Sequence, residues 1–598
     1  FKQKTAYEIR LSLVGSEMCI RDRPTTVRRV RAAPLWRPAC VLIAAVGAAL
    51  LGGCKSAAEH VADADQQVYA IVAARRAGLA ADAGSFSIDT PPTELRRRLL
   101  KLPEDQRQLE PLALIECLAI AAENSRAYRS QRESLYLAAL DLTLERFRFG
   151  VQTNGSLGAA VVGDGDEATD ASVGGSAGFT RLLGSGAFIV GSIGLDLFRN
   201  LLTSDGWDAV SSVNLSITQP LLAGFGQRIV QEPLTQAERN VVYAVRSYER
   251  FRRTFAFEVA ARVYRILQQH DSLANEQANF DSLTALLARN QALASAGRLS
   301  DIQVDQARQD VLRAQSRLID TQQALEGLYD SFKFFLGVPV ETRVELDGTD
   351  LMVLVERGIE IEDVDDGEAV DVALALRLDH LNVLDRVDDA GRRAEIAADA
   401  LRGILNATFD VGAQSREGRP LDYRGDDVDW RLGLDLDLPF ERLPQRNAYR
   451  DRLIEVAVSE RAADISRDSV LTEIRAALRE LASRRQIYDI QRNSTALAER
   501  RVESTRLNFE AGRAETRDLL EAQNALLEAR NALTSAIVDH RLAVLALYRD
   551  MELLRVDTGV LKIDTQALVN ARSERAGADP AAAETTPVNP GAPELLQP

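Results

Sequence analysis

Histidine and cysteine are scarce, four of each in 598 residues. That leaves little for metal or nucleophile chemistry. His380 and His540 each follow an Asp, but neither has a second ligand at metal spacing. No serine or cysteine nucleophile signature is present, and Leu183-Gly184-Ser185-Gly186 lacks the Lys-Ser/Thr of a phosphate loop. No catalytic residue, metal site or cofactor is therefore expected. Positive charge is also short. A net charge of −16 argues against a nucleic-acid partner. Only 18 prolines occur, which leaves room for very long helices. At 46% hydrophobic and 27% charged residues, pervasive disorder is excluded.

The apolar run Val41–Leu51 has 11 residues, whereas a spanning helix needs about 20. Residues 1–23 resemble translated sequencing-adapter read-through. Residues 24–53, with Arg28, Arg29, Arg31 and Arg37 before that run, read as a signal peptide. The run ends in Leu51-Gly52-Gly53-Cys54, which looks like a bacterial lipobox and predicts lipidation of Cys54 after cleavage. Lys55 rather than Asp follows, which in the lipoprotein pattern points to the outer membrane. Removing residues 1–53 takes out nine basic and three acidic side chains, for a net charge of −22. Cys54 and Cys117 then remain, too few for a disulfide framework within one chain. Cys117 sits in an apolar helical pattern and is expected in the core.

The chain repeats itself. Ala296-Gly297-Arg298 recurs 215 residues later as Ala511-Gly512-Arg513. After the first site Val304, Ala307, Val311, Ala314, Leu318, Thr321, Leu325 and Leu328 form a 3-4 seam. After the second, Leu519, Ala522, Leu526, Ala529, Leu533, Ala536, His540 and Ala543 do the same. Each Gly-Arg pair reads as the tip of a helical hairpin, with Ser300 and Thr516 as candidate caps of the returning helices. The long arms before the tips are predicted over Arg228–Ala296 and from about Ala448 to Ala511. In the second, Leu471, Ile474, Leu478, Leu481 and Tyr488 keep a heptad that Arg485 breaks.

Before each arm the period changes to 2. Phe147, Phe149 and Val151 alternate with polar residues, as do Val213, Leu215 and Ile217, ending at Pro220. In the second half Leu405, Ala407, Phe409, Val411 and Ala413 alternate, then Leu432, Leu434, Leu436 and Leu438, ending at Pro439. Apolar on one side and polar or charged on the other fits a membrane barrel strand around a wet lumen. A half-buried soluble sheet alternates in the same way. Pro220 and Pro439 lie 219 apart, four more than the tips, so the arms are expected to differ by about one helical turn. Four strands cannot close a barrel, so copies must share one.

The duplicated helix-strand-strand-helix plan, Thr218-Gln219-Pro220-Leu221-Leu222, Leu438-Pro439-Phe440, the two tips and Glu110–Leu118 together resemble the TolC-type outer-membrane efflux protein family. The resemblance implies a mixed α and β membrane protein. It would be a homotrimer with a 12-strand outer-membrane β-barrel, four strands per chain, continued by a long periplasmic α-helical barrel of coiled-coil hairpins. It implies a passive exit duct that works with a periplasmic adaptor (membrane fusion) protein and an inner-membrane pump. In the family, two acids lie six and nine residues after the second tip glycine and line the pore constriction; here these are Asp518 and Glu521. Gly297, Arg298, Gly512 and Arg513 would meet the adaptor. Gln303 stands where the first tip commonly has an acid, with Asp301 and Asp305 nearby.

The expected division is 54–110 as a mature N-terminal segment, 111–340 as repeat 1, 341–366 as a linker, 367–555 as repeat 2, and 556–598 as a largely disordered tail. Glu362–Glu368 is read as a link and cap for the helix at Ala369 rather than a calcium loop. Ala171–Phe198, Gly-rich with Ala187-Phe188-Ile189-Val190 inside it, is left between a longer barrel hairpin and an external loop. A structural periplasmic coiled-coil lipoprotein without a pore would explain the heptads and Cys54, but not the strand pairs.

Overall fold

The computed structural model describes residues 55–77, 86–89, 95–164, 168–200, 206–359, 365–416, 418–557 and 560–564. Expectations for residues 1–54, Cys54 among them, and for the tail beyond 564 lie outside these. The chain divides into two units, residues 1–63 and 64–598. In the first, residues 57–63 open the helix Ala57–Arg76, and Ser56 and Glu59 cap each other's backbone N–H.

In the second unit, a core of helices leads into the sheet. The opening helix Leu114–Asn124 begins where Glu116 accepts the Ala113 N–H at 2.9 Å. It buries Cys117 completely, and burial pushes that thiol up to about 12. The helix Arg126–Phe149 follows. The strand expected from Phe147 is thus a helix end. Five residues are too few to separate period 2 from 3.6, and an Arg148–Glu145 pair supports the last turn before the Gly150 N–H closes on the Phe147 carbonyl.

Six strands then form one sheet in the order β1 to β6: Gln152–Asp164, Ala168–Leu182, Phe188–Asn200, Asp208–Pro220, Ile404–Gln414 and Val428–Asp437. Every neighbouring pair is antiparallel. The expectation of four strands per chain is corrected here, since the sheet has six. The Gly-rich stretch supplies β2 and β3, set in line between β1 and β4. Glycine, alanine and serine mute the period-2 signal there and in β1, whereas large apolar residues make it legible in β4, β5 and β6. The two repeats join through β4 and β5, where Leu215 lies opposite Val411.

The remaining helices follow the sequence reading. A first arm (Glu232–Ser295) and first return (Asp301–Leu336) make one hairpin, and a second arm (Leu443–Glu510) and second return (Thr516–Asp550) make the other. The arms contain 64 and 68 residues, the one-turn difference expected. Both return seams face inward: Ala307, Ala314 and Leu325, and Leu519, Ala522, Ala529, Ala536 and Ala543, are buried. Thr349–Arg357 lies within the expected linker. Asp366–Leu376 is capped by Asp365, whose carboxylate accepts the Glu368 N–H, and a lead helix, Leu378–Asp399, runs to β5. A small hairpin, β7 (Leu554–Asp557) with β8 (Val560–Ile563), crosses the boundary placed at 555. Buried Glu552, at φ +62°, ties it to Arg250 and Arg253 of the first arm. Among the described residues, no helix is long and apolar enough to cross a membrane.

Candidate functional site

The two tips share one local design. After the first arm Gly297 takes φ +68°, the Arg298 N–H reaches the Leu293 carbonyl at 2.9 Å, and the Gly297 N–H reaches Ala294 at 2.9 Å. After the second arm Gly512 takes φ +70°, Arg513 reaches Asn508 at 2.8 Å, and Gly512 reaches Phe509 at 3.1 Å. Both are left-handed glycine caps with the six-to-one and five-to-two bonds of a Schellman motif. A Cβ on either glycine would meet nothing within 4 Å, so backbone conformation, not crowding, requires glycine. Arg298 and Arg513 are exposed.

The expected caps differ. Ser300 holds the cap position of the first return without a side-chain bond, and Glu515, not Thr516, caps the second. Thr516 is instead fully buried and accepts the Asn290 amide N–H of the first arm at 3.2 Å. A small core next to it joins Leu283 and Leu286, Ala314, Phe509, Leu519 and Leu520, drawing on all four long helices. The Arg289 guanidinium sits 5.2 Å from the Phe509 ring centre and 3.8 Å from Glu510.

Asp518 and Glu521 are both exposed beside buried Leu519 and Ala522, as their spacing requires. Each has a local partner. Asp518 accepts the Glu515 N–H at 3.0 Å, closing the first turn, and Glu521 accepts from Arg517 at 3.0 Å with Arg501 at 3.8 Å. Exposed pairs of this kind hold a carboxylate only weakly, so both remain available to solvent and cations.

Sequence reasoning missed a polar seam between the first arm and the second return. Thr534 donates to Asp271 at 2.7 Å, Asn275 to Asn531 at 2.9 Å, and Gln523 to Ser282 at 2.9 Å. Asn290 with Thr516 ends the row. Each bond contributes roughly 1 kcal/mol net, yet all must part if the second hairpin swings from the first. The signal was present as polar residues at helical spacing, Asp271, Asn275, Ser282 and Asn290, but their partners lie more than 200 residues away.

The prolines mark the other end of the arms, about 96 Å from the tips by helical rise. Pro220 ends β4 opposite Asn406. Pro439 follows β6, and its carbonyl accepts from Arg442 at 3.2 Å. The sheet itself has two unlike faces. On one lie Leu157 and Val161, Val173 and Phe179, Ile189, Ile193 and Leu195, Val213, Leu215 and Ile217, Phe409 and Val411, and Trp430, Leu432, Leu434 and Leu436. The register sets these rows side by side. The other face carries Asn154, Ser156, Ser172, Ser176, Ser192, Asp196, Asn214, Ser216, Thr408, Asp410, Asp429, Arg431, Asp435 and Asp437. There Ser156 and Ser176 lie 2.7 Å apart, and Ser216 donates to Asp410 at 2.6 Å.

The fold is that of TolC-like outer-membrane channels. The structure is similar to the outer membrane protein VceC of Vibrio cholerae (TM-score 0.54, 13% identity, 73% of this chain and 95% of that one). It is similar to the CmeC outer membrane channel of Campylobacter jejuni (0.54, 13%, 78% and 90%). It is also similar to a membrane protein from Pseudomonas aeruginosa (0.55, 15%, 73% and 92%). No protein-family profile and no curated protein sequence matches the chain.

Proposed function

We propose that this chain is the outer-membrane exit duct of a tripartite efflux or type I secretion system. Three copies form the channel. The sheets close in the outer membrane and the hairpins extend into the periplasm. The reading is carried by one observation: a sheet with one apolar and one polar face, open at both edges, runs into two helical hairpins whose long arms span about 96 and about 102 Å. An open edge is not tolerated in lipid, whereas copies joined edge to edge leave none. The sheet also disfavours a coiled-coil lipoprotein without a pore, which has no use for an apolar face six strands wide.

Transport is passive. Substrate is pushed by an inner-membrane pump through a periplasmic adaptor that meets Gly297, Arg298, Gly512 and Arg513, and this chain contributes no chemical step. Asp518 and Glu521 of three copies form two acidic rings at the constriction and favour cations. Acyl chains on Cys54 anchor each copy to outer-membrane lipid. Opening parts the polar seam between first arm and second return. Native mass spectrometry of the mature protein from outer membranes in detergent tests the assembly: a trimer with acyl mass on each chain is expected, and a monomer sinks it. In bilayers, Asp518→Ala with Glu521→Ala is expected to reduce cation selectivity. An unchanged reversal potential removes these residues from the pore.

A further inference from the structure

We infer that the membrane ring of this channel has eighteen strands, six from each of three copies, because β2 and β3 are ring members rather than an external loop. The inference rests on the three-copy reading above. Four observations carry it.

The hairpin is in line. β2 pairs with β1 over the whole length of β1 and β3 with β4 from Phe188 to Phe198, so removing them would leave β1 and β4 with no contact. Its strands of 15 and 13 residues exceed the 9–11 that cross a bilayer when tilted.

Its two faces are in phase with the rest of the sheet. Val173 lies opposite Leu197, Phe179 opposite Gly191 and Ile193 opposite Val213 on the apolar side. Ser172, Ser176, Ser192 and Asp196 continue the polar side over the middle of the strands, with Phe188, Val190 and Phe198 toward the ends of β3. An external loop has no reason to keep this phase, because one residue of slip would reverse every side chain.

Its closed end is built into the corner where β4 becomes helix. The Ser185 hydroxyl donates to the Gln219 side-chain oxygen at 3.0 Å, and the Ser185 carbonyl accepts from Gln219 at 3.2 Å and from the Gly226 N–H at 3.3 Å. Gly186, at φ +94°, lies so close that a Cβ would stand 2.8 Å from the Gly224 carbonyl and 2.9 Å from Pro220.

The free edges are suited to each other. Six is even, so β6 of one copy meets β1 of the next antiparallel, as every other pair in the sheet is. Both edges present large uncovered apolar side chains, Leu157 at 72% exposure on β1 and Leu432 at 70% on β6. Such a head-to-tail contact closes into a ring. Diameter grows roughly linearly with strand number, so eighteen strands give a ring about half again as wide as twelve, in the range that leaves an aqueous channel. The size limit for passage then lies at the hairpin tips and not in the membrane.

Single-cysteine labelling of full-length protein in outer-membrane vesicles tests this. A water-soluble, membrane-impermeant maleimide is expected to label Ser176→Cys and Ser192→Cys at least tenfold faster than Ala177→Cys and Ile193→Cys. Native mass spectrometry of the same preparations counts the copies. A trimer with the alternation supports eighteen strands. A trimer in which all four positions label alike overturns the ring membership of β2 and β3 and leaves the duct intact. Any other copy number overturns the three-copy reading itself. Deleting residues 165–207, which joins β1 to β4, is expected to leave a trimer whose ring seen by electron cryomicroscopy is narrower by about one third. A ring of unchanged width overturns the inference.

Discussion

The two long arms occupy the same place in their repeats and differ by one turn, yet they are packed very differently. Twenty of the 64 residues of the first arm are buried, among them Val241, Phe255, Val259, Val263 and Ile266. The second arm buries five of 68, while Val458, Ile465, Ile490 and Leu497 stand about half or more exposed. Val458 with Ile465, and Ile490 with Leu497, are each seven apart and so share a face. The chain covers its first arm by itself and leaves this face of the second bare, where the proposed assembly would place another copy.

The lead helix Leu378–Asp399 shows the contrast on a single element. Toward the first arm it presents Asp389, 1% exposed, which accepts from Arg239 at 2.9 Å, Tyr243 at 2.8 Å, Gln236 at 3.0 Å and Arg392 at 2.8 Å. Toward the second arm it presents Arg393, half-exposed, 2.7 Å from Glu455. Burial alone would raise the Asp389 carboxyl. The hydrogen bonds from Gln236, Tyr243 and Arg392 outweigh it and hold the group below the usual carboxylate range.

The comparison breaks most decisively at the surface of the second arm. Ile490→Asp with Leu497→Asp is expected to abolish the heat-stable trimer on semi-native gels while circular dichroism keeps the helical content. Unchanged trimers would mean that this face meets no copy. Next in size, Asp389→Ala removes the buried acceptor shared by Tyr243, Gln236 and two partly exposed guanidiniums, and is expected to cost about 1–3 kcal/mol. Glu455→Ala, on the other side of the same helix, should cost about 0–1 kcal/mol. Denaturant melts in detergent would show the gap, and equal losses would erase the distinction between the arms. Because the Asp389 pKa is lowered in the folded state, its contribution is present at neutral pH and is lost as pH falls through that lowered value.

Gly297→Ala and Gly512→Ala test what the repeats still share. Each forces a left-handed backbone on alanine in open space, so each should cost about 1–2 kcal/mol, and nearly the same amount. A marked difference in melting would show that one tip is constrained beyond its cap. The smallest effect is expected at His540. Burial, with Arg485 and Arg541 adding repulsion, lowers its pKa in the folded protein. Unfolded chain then binds the proton first, so stability falls as pH drops below about 6.5. His540→Leu should flatten melting temperature between pH 7.5 and 5.5.

Arg485 and His540 also show how much was legible. Arg485 reads as the break in the second arm's heptad and His540 as a polar member of the second return's seam, and in the structure Arg485 adds to the repulsion that lowers the His540 pKa. The seams, tips and arm lengths were legible because 3.5-residue periodicity and a glycine at the turn are local signals. Asp518 and Glu521 were singled out by the family resemblance and put on one helix face by their spacing, but the hydrogen bond from Glu515 and the arginines beside Glu521 were not foreseen. The seam of Asp271, Asn275, Ser282 and Asn290 could be seen only as polar residues, since a hydrogen bond needs its partner's position.

The sequence by itself determined the long helices, where the arms turn, and which face of β4, β5 and β6 is apolar. These follow from backbone periods of 3.6 and 2, set by neighbours a few residues away. The tertiary structure alone decided that β4 lies beside β5, joining the repeats, and that a glycine-rich stretch adds two strands between β1 and β4. It also decided that one arm is covered and the other bare. A strand's period fixes its faces but not its neighbour. The neighbour is chosen by backbone hydrogen bonds, which look the same for every residue type, and by how closely small side chains allow two strands to approach.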